Sequence, residues 1–199
     1  GGLEDVVATS SAICYLDGER GVLAYCGYDI HDLAQSATFE EVCYLLWHRR
    51  LPTRAELGDL QSQLAAARAL PEPIVRLMRS LPPVDGMDAL RTLTSALAHY
   101  DAEAGDAAPP AQYRKAVRLT AQTGSIVATW GRLQKGGGPI APDPALSHAA
   151  NFLYMLTGER PNPTATRAFD IALVLHADHE LNASTFVGRV AAATLTDIY

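Results

Sequence analysis

The stretch QYRKAVRLTAQTGSIVATWGRLQK, residues 112–135, decides the fold class. Tyr113, Ala116, Val117, Thr120, Gly124, Val127 and Trp130 recur every three or four residues, the period of one helix face. The stripe is rich in small side chains, which lets a neighbouring helix approach closely. Gly136-Gly137-Gly138-Pro139 ends the pattern, and Pro142-Asp143-Pro144 prolongs the loop. The triple glycine follows a helix rather than a strand and lacks the Lys-Ser/Thr of a phosphate loop, so it reads as a connector.

Outward from this helix the pattern stays helical. Towards the C-terminus, helices are expected from Leu146 to Leu156, from Thr164 to about Glu180, and from near Ser184. Val190, Ala191, Thr194 and Leu195 keep the last pattern going to Asp197-Ile198-Tyr199 with no stop signal, so Tyr199 reads as a cut end. Towards the N-terminus, Asp88 reads as the cap of a helix carrying Leu90, Leu93 and Leu97. A short apolar segment, Ile74 to Leu81, precedes it. Thr53-Arg54-Ala55-Glu56 and Thr38-Phe39-Glu40-Glu41 are capping boxes. The first opens a helix with Leu57, Leu60 and Leu64 on one face, the second a helix with Val42, Cys43, Leu45 and Leu46 inward. Only Ala12–Leu16 and Val22–Cys26, around Asp17-Gly18-Glu19-Arg20-Gly21, read as strands, and they form a hairpin. The expected fold class is all-α, with a short N-terminal β-hairpin in residues 1–37 and a helical domain over 38–199.

Of the 199 residues, 48% are hydrophobic and 19% charged, enough to bury a core. The formal net charge of −6 and the lack of any cluster of five Lys/Arg argue against nucleic acid as a partner. No apolar run reaches the roughly 18 residues of a membrane span, and no basic-then-apolar leader opens the rows. Cys14, Cys26 and Cys43, an odd set among apolar neighbours, read as buried small hydrophobes in a reducing cytosol rather than as a disulfide or metal site.

The polar cluster with most chemistry is His176-Ala177-Asp178-His179-Glu180, followed by Asn182, Ser184 and Thr185. It closes an apolar helix, Ile171 to Leu175. On a continuing helix, His176 and His179 at i and i+3 would share a face. Three readings stay open. The pair can be core histidines satisfied by Asp178, Glu180 or carbonyls. It can ligate a metal, although His-x-x-His is not the i, i+4 zinc pair and no second ligand cluster stands elsewhere. It can also donate hydrogen bonds to a small anionic substrate. His31, His48, His99 and His148 are isolated and read as surface or packed side chains.

Several segments together resemble the citrate synthase family. They are Ala12–Gly18, Gly21–Leu23, Gly27–Ile30, Leu33-Ala34, Phe39–Val42, Leu51–Thr53, Met87–Thr92, Ser147–Met155 and above all Leu175–Phe186. The order is collinear over the whole chain. Asp85-Gly86 replaces the His-Pro that usually precedes the Met-Asp landmark. The resemblance implies a citrate-synthase-like large-domain helical bundle, with the small domain absent. It covers about the N-terminal half of the family, so the motifs bearing the catalytic acid and base are expected beyond Tyr199, with no catalytic residue in 1–199.

The implied reaction condenses acetyl-CoA with oxaloacetate to citrate and CoA. The related 2-methylcitrate synthases are an alternative, and so is a non-catalytic helical dimerisation module. By resemblance His179 binds oxaloacetate, with His176, Asn182 and Ser184 supporting, and Ser184 matches the residue that orients the catalytic histidine. No metal and no cofactor is expected, acetyl-CoA being a substrate. The resemblance also implies a cytoplasmic homodimer, with the helices near Leu90 and at 112–135 facing the second subunit. The chain alone is expected to be inactive.

Overall fold

The computed structural model describes residues 9–199. Strands β1 (Cys14–Asp17), β2 (Val22–Tyr25) and β3 (Tyr28–Asp29) form an antiparallel sheet in the order β1-β2-β3. Cys14 pairs with Tyr25 and Asp17 with Val22, so the expected hairpin is present. The third strand was not expected. Gly27, at φ +88°, makes the turn into it, a conformation open to glycine.

Nine helices follow among the described residues: α1 (Ile30–Ser36), α2 (Phe39–His48), α3 (Arg54–Ala67), α4 (Glu72–Ser80), α5 (Gly86–Leu97), α6 (Pro109–Gln134), α7 (His148–Thr157), α8 (Pro163–Leu175) and α9 (Ala183–Ala193). Both capping boxes form: the Thr38 and Thr53 hydroxyls accept the N–H groups of Glu41 and Glu56, whose carboxylates accept back from the threonine N–H groups. Each box satisfies two orphan donors of a first turn.

Several boundaries differ from the sequence expectation. Asp85, not Asp88, caps α5 by accepting the Met87 N–H. α8 stops at Leu175 instead of running to about Glu180, and α9 stops at Ala193 instead of continuing. Leu195 turns the chain at φ 62°, and Tyr199 packs back against the cluster around Trp130. The helix α1 was not expected; Asp29 caps it by accepting the His31 N–H.

Three packed clusters build the interior. One joins the sheet to helices through Cys14, Tyr25, Ile30, Leu33, Val42, Leu45 and Val174. A second packs α4, α5 and α6 through Ile74, Met78, Leu93, Leu97, Ile126 and Trp130. A third joins α2, α3 and α6. The α6 stripe is therefore less open than its spacing suggests. Val117 and Trp130 are buried, Tyr113, Ala116, Thr120 and Gly124 are half-buried, and Val127 is exposed. What stays open beside it is an apolar groove of about 540 Å³ lined by Leu119, Val127, Phe152, Phe169 and Leu173 among others. No helix among the described residues is long and apolar enough to cross a membrane.

Candidate functional site

The residues from His176 to Asn182 link α8 to α9 as a turn, not as helix. This corrects the shared-face geometry expected for His176 and His179. Val174 and Leu175 belong to the last turn of α8, whose carbonyls have no partner within the helix. The Tyr25 hydroxyl lies 3.2 Å from the Val174 carbonyl and 3.4 Å from that of Leu175. It also donates to the Asp178 carbonyl at 2.9 Å and accepts the Asp178 N–H at 3.2 Å. A side chain 153 residues away thus takes the Asp178 N–H, which a continued helix would give to the Val174 carbonyl.

The rest of the turn is tied in the same way. Asp178 Oδ1 accepts the Glu180 N–H at 2.7 Å, and Glu180 takes a left-handed φ of 69°. Glu180 Oε1 accepts the Leu16 N–H of the edge strand β1 at 2.9 Å. The Cys14 thiol is pushed up to about 12, by burial first and then by its hydrogen bond to the Asp178 side chain. Cys14 therefore stays protonated and donates, a structural role rather than a nucleophilic one.

The expected site residues stand on this turn. His176 is exposed at the end of α8, and its Nδ1 lies 2.7 Å from the Ala172 carbonyl, so that nitrogen carries the proton. His179 is exposed, with Nε2 3.1 Å from the Asn182 Nδ2. Asn182 caps α9: its Oδ1 accepts the Thr185 N–H at 2.8 Å. Only a carbonyl oxygen can accept there, which fixes the amide orientation and leaves Nδ2 to donate to His179. The imidazole is then an acceptor at Nε2, and its proton sits on Nδ1, which makes no hydrogen bond among the described residues. Ser184 is exposed in the first turn of α9, and no hydrogen bond among the described residues joins it to either histidine. Among the described residues, no group of three His, Cys, Asp or Glu could hold a metal ion.

Elsewhere in the bundle lies a buried polar cluster that spacing did not reveal. Glu40, Arg68, His148 and Asp170 are all buried. Arg68 donates to the carbonyls of Asp143 and Leu146 at 3.1 and 2.8 Å. Burial, and secondarily the Arg68 charge, hold His148 down at about 4, so the imidazole is neutral. Burial also raises Glu40 above the ordinary carboxylate range.

A small sheet packed on a helical bundle, with an anchored His-bearing turn between two helices, defines a helical protein. The family described as "Citrate synthase, C-terminal domain" matches residues 2–199, and the chain belongs to the citrate synthase family. It is 50% identical to "Citrate synthase 2" of Bacillus subtilis (strain 168), a match that covers 100% of this chain and 53% of that protein. It is 38% identical to the "Citrate/2-methylcitrate synthase" of the same organism, over 100% of this chain and 54% of the relative. The crystal structure of citrate synthase from Pyrobaculum aerophilum superposes with a TM-score of 0.93 at 41% identity, over 100% of this chain and 52% of that one. The chain thus spans about half the length of these relatives.

Proposed function

We propose that this chain is part of a citrate synthase, an acyltransferase that condenses acetyl-CoA with oxaloacetate to citrate and CoA. In this reading residues 38–199 belong to the large helical domain, and the smaller domain lies outside these residues. The observation that carries the reading is the orientation of His179. Among the described residues its Nδ1 has no partner, while Asn182 occupies Nε2.

Oxaloacetate is a dianionic ketone whose carbonyl must be polarised before a carbon nucleophile can attack it. A hydrogen-bond donor held on an anchored turn supplies part of that polarisation without reorganising during the reaction. His176 supports from the end of α8, and Asn182 orients the ring. Ser184 is assigned the orienting of the histidine that stabilises the enolate of acetyl-CoA. The carboxylate that takes the acetyl α-proton, and that histidine, are assigned to residues outside this chain. No cofactor is assigned. The three free cysteines suit a reducing, cytoplasmic setting.

The test uses the full-length protein and follows oxaloacetate-dependent release of free thiol from acetyl-CoA. His179→Ala removes one hydrogen bond to a charged ligand and should raise the oxaloacetate KM about ten- to a hundredfold. An unchanged KM with a much lower Tm would make the histidine a packing group. Zinc that co-purifies stoichiometrically and is lost in the variant would make it a ligand instead.

The likeness to a citrate/2-methylcitrate synthase favours 2-methylcitrate synthase as the second reading. A clear preference for propionyl-CoA over acetyl-CoA would establish it. For residues 1–199 alone, the reading is a catalytically silent dimerisation module with α5 and α6 at the centre of a homodimer. Normal turnover by this chain alone, or a monodisperse monomer at micromolar concentration in light scattering, would overturn those parts.

A further inference from the structure

We infer that Tyr25 is a positioning residue for oxaloacetate binding: its buried hydroxyl ties the end of α8 to Asp178 and thereby sets where His179 stands. The inference rests on His179 being an oxaloacetate ligand.

Tyr25 is fully buried, at 0% exposure, and its ring belongs to the cluster that joins the sheet to α1, α2 and α8. A phenol has one proton and an oxygen that also accepts. Here the proton goes to the Asp178 carbonyl, its closest acceptor at 2.9 Å, with the Val174 carbonyl at 3.2 Å sharing it. The same oxygen accepts the Asp178 N–H. One side-chain atom therefore fixes the peptide planes on both sides of Asp178, the residue before His179.

The residue after His179 is tethered as well. Glu180 holds the Leu16 N–H on β1, the strand paired with the one that carries Tyr25. His179 is thus slung between two anchors on one small sheet, while its own side chain is exposed and among the described residues hydrogen-bonds Asn182 alone. Position along the turn comes from the sheet, and ring orientation comes from Asn182. A phenylalanine at 25 would fill the same apolar space yet leave the Asp178 N–H and carbonyl without this partner.

The experiment compares Tyr25→Phe, Glu180→Ala, Glu180→Gln and His179→Ala in the full-length protein. Kinetics are read for both substrates, and amide hydrogen exchange is read over residues 176–182. Tyr25→Phe should raise the oxaloacetate KM about five- to thirtyfold, leave the acetyl-CoA KM within about twofold, and speed exchange in that segment. Glu180→Ala should act in the same direction, while Glu180→Gln, whose amide oxygen can still accept the Leu16 N–H, should retain most of the affinity. If Tyr25→Phe does not fold, the Glu180 pair carries the same test, and equal KM values for the two variants overturn the inference. If His179→Ala raises the oxaloacetate KM and Tyr25→Phe does not, the inference alone falls. If His179→Ala has no effect, the site reading falls and takes this inference with it. A Tyr25→Phe enzyme that melts lower with both KM values unchanged would make the hydroxyl purely a stabilising group.

Discussion

Glu40 on α2 accepts the backbone N–H of His148, the first residue of α7, at 2.8 Å across 108 positions of sequence. The same device recurs one helix further on: Asp170 on α8 accepts the N–H of Phe39, the first residue of α2, at 3.0 Å. Each helix start thus has an orphan donor satisfied by an acid from another helix, and a carboxylate there also complements the helix dipole. These bonds set α2, α7 and α8 against one another, and Val174 near the end of α8 packs with Val42 and Leu45 of α2. The corner that carries the His179 turn is built on this arrangement.

Glu40→Ala should destabilise the protein by about 2–3 kcal/mol, because it strands a buried N–H and leaves Arg68 without its neighbouring charge. Glu40→Gln keeps an acceptor for that N–H and should cost about 1 kcal/mol. Urea denaturation of the three proteins gives both numbers. Equal loss in the two variants would mean that the charge, not the cap, matters.

His148 makes stability depend on pH. Its folded value of about 4 lies below the ordinary 6.5, so between the two the unfolded chain binds a proton that the native one does not. Stability is then complete above about pH 6.5 and falls as the pH drops towards 4, by up to about 3 kcal/mol. Glu40, raised by burial, works in the opposite sense over its own titration. The comparison of slopes isolates the histidine: His148→Gln should flatten the loss between pH 6.5 and 4 relative to wild type. An unchanged slope would assign the effect elsewhere.

Arg167 closes the junction between α1 and α2. It donates to the carbonyls of Ala34, Gln35 and Ala37 at 2.5, 2.9 and 2.9 Å and to Asp170 at 2.9 Å. Arg167→Ala should cost about 2–3 kcal/mol, since three carbonyls and a buried carboxylate lose a charged donor. Arg167→Lys should recover less than half, because an ammonium cannot span the same fork. Thermal melts of the two variants check this.

Arg49 ends α2 in the left-handed region, at φ 59°, and donates its N–H to the Leu45 carbonyl. Gly158 does the same work at the end of α7, at φ 88°. Only glycine takes this conformation freely. Arg49→Gly should therefore stabilise the protein by about 0.5–1 kcal/mol, and Gly158→Ala should destabilise it by a similar amount. A melting temperature for Arg49→Gly at or below that of wild type would show that the side chain contributes more than the strain costs.

What could be read from the chain was what its neighbours in sequence encode. Thr38 with Glu41, and Thr53 with Glu56, are three residues apart, and both boxes formed. The apolar spacing of α6 continues over several turns, and the helix is there. Partners more than a hundred residues away left no local trace. Nothing near Glu40 announces His148, and nothing near Leu175 announces that Tyr25 stops the helix. At Glu180 the left-handed turn falls on a residue that gives no glycine signal. With seven residues and two buried apolar positions, α1 is too short for its period to stand out. His179 itself came from the family motif, whereas the spacing argument placed it on a helix that the chain does not form.

The proton on His179 offers the sharpest test of the site. Asn182 does two things at once: its oxygen caps α9 through the Thr185 N–H, and its amide donates to His179 Nε2. An aspartate at 182 keeps the first and inverts the second. It caps a helix as well as asparagine and suits the dipole, so α9 should stay intact. Towards the imidazole it offers only acceptors, which draws the proton to Nε2 and takes it from Nδ1, the nitrogen assigned to oxaloacetate. In the full-length Asn182→Asp protein the oxaloacetate KM should therefore rise about tenfold. Asn182→Ala, which loses cap and donor together, should show a raised KM together with a less stable α9. If the aspartate variant binds oxaloacetate like wild type, His179 does not present its Nδ1 proton to the substrate.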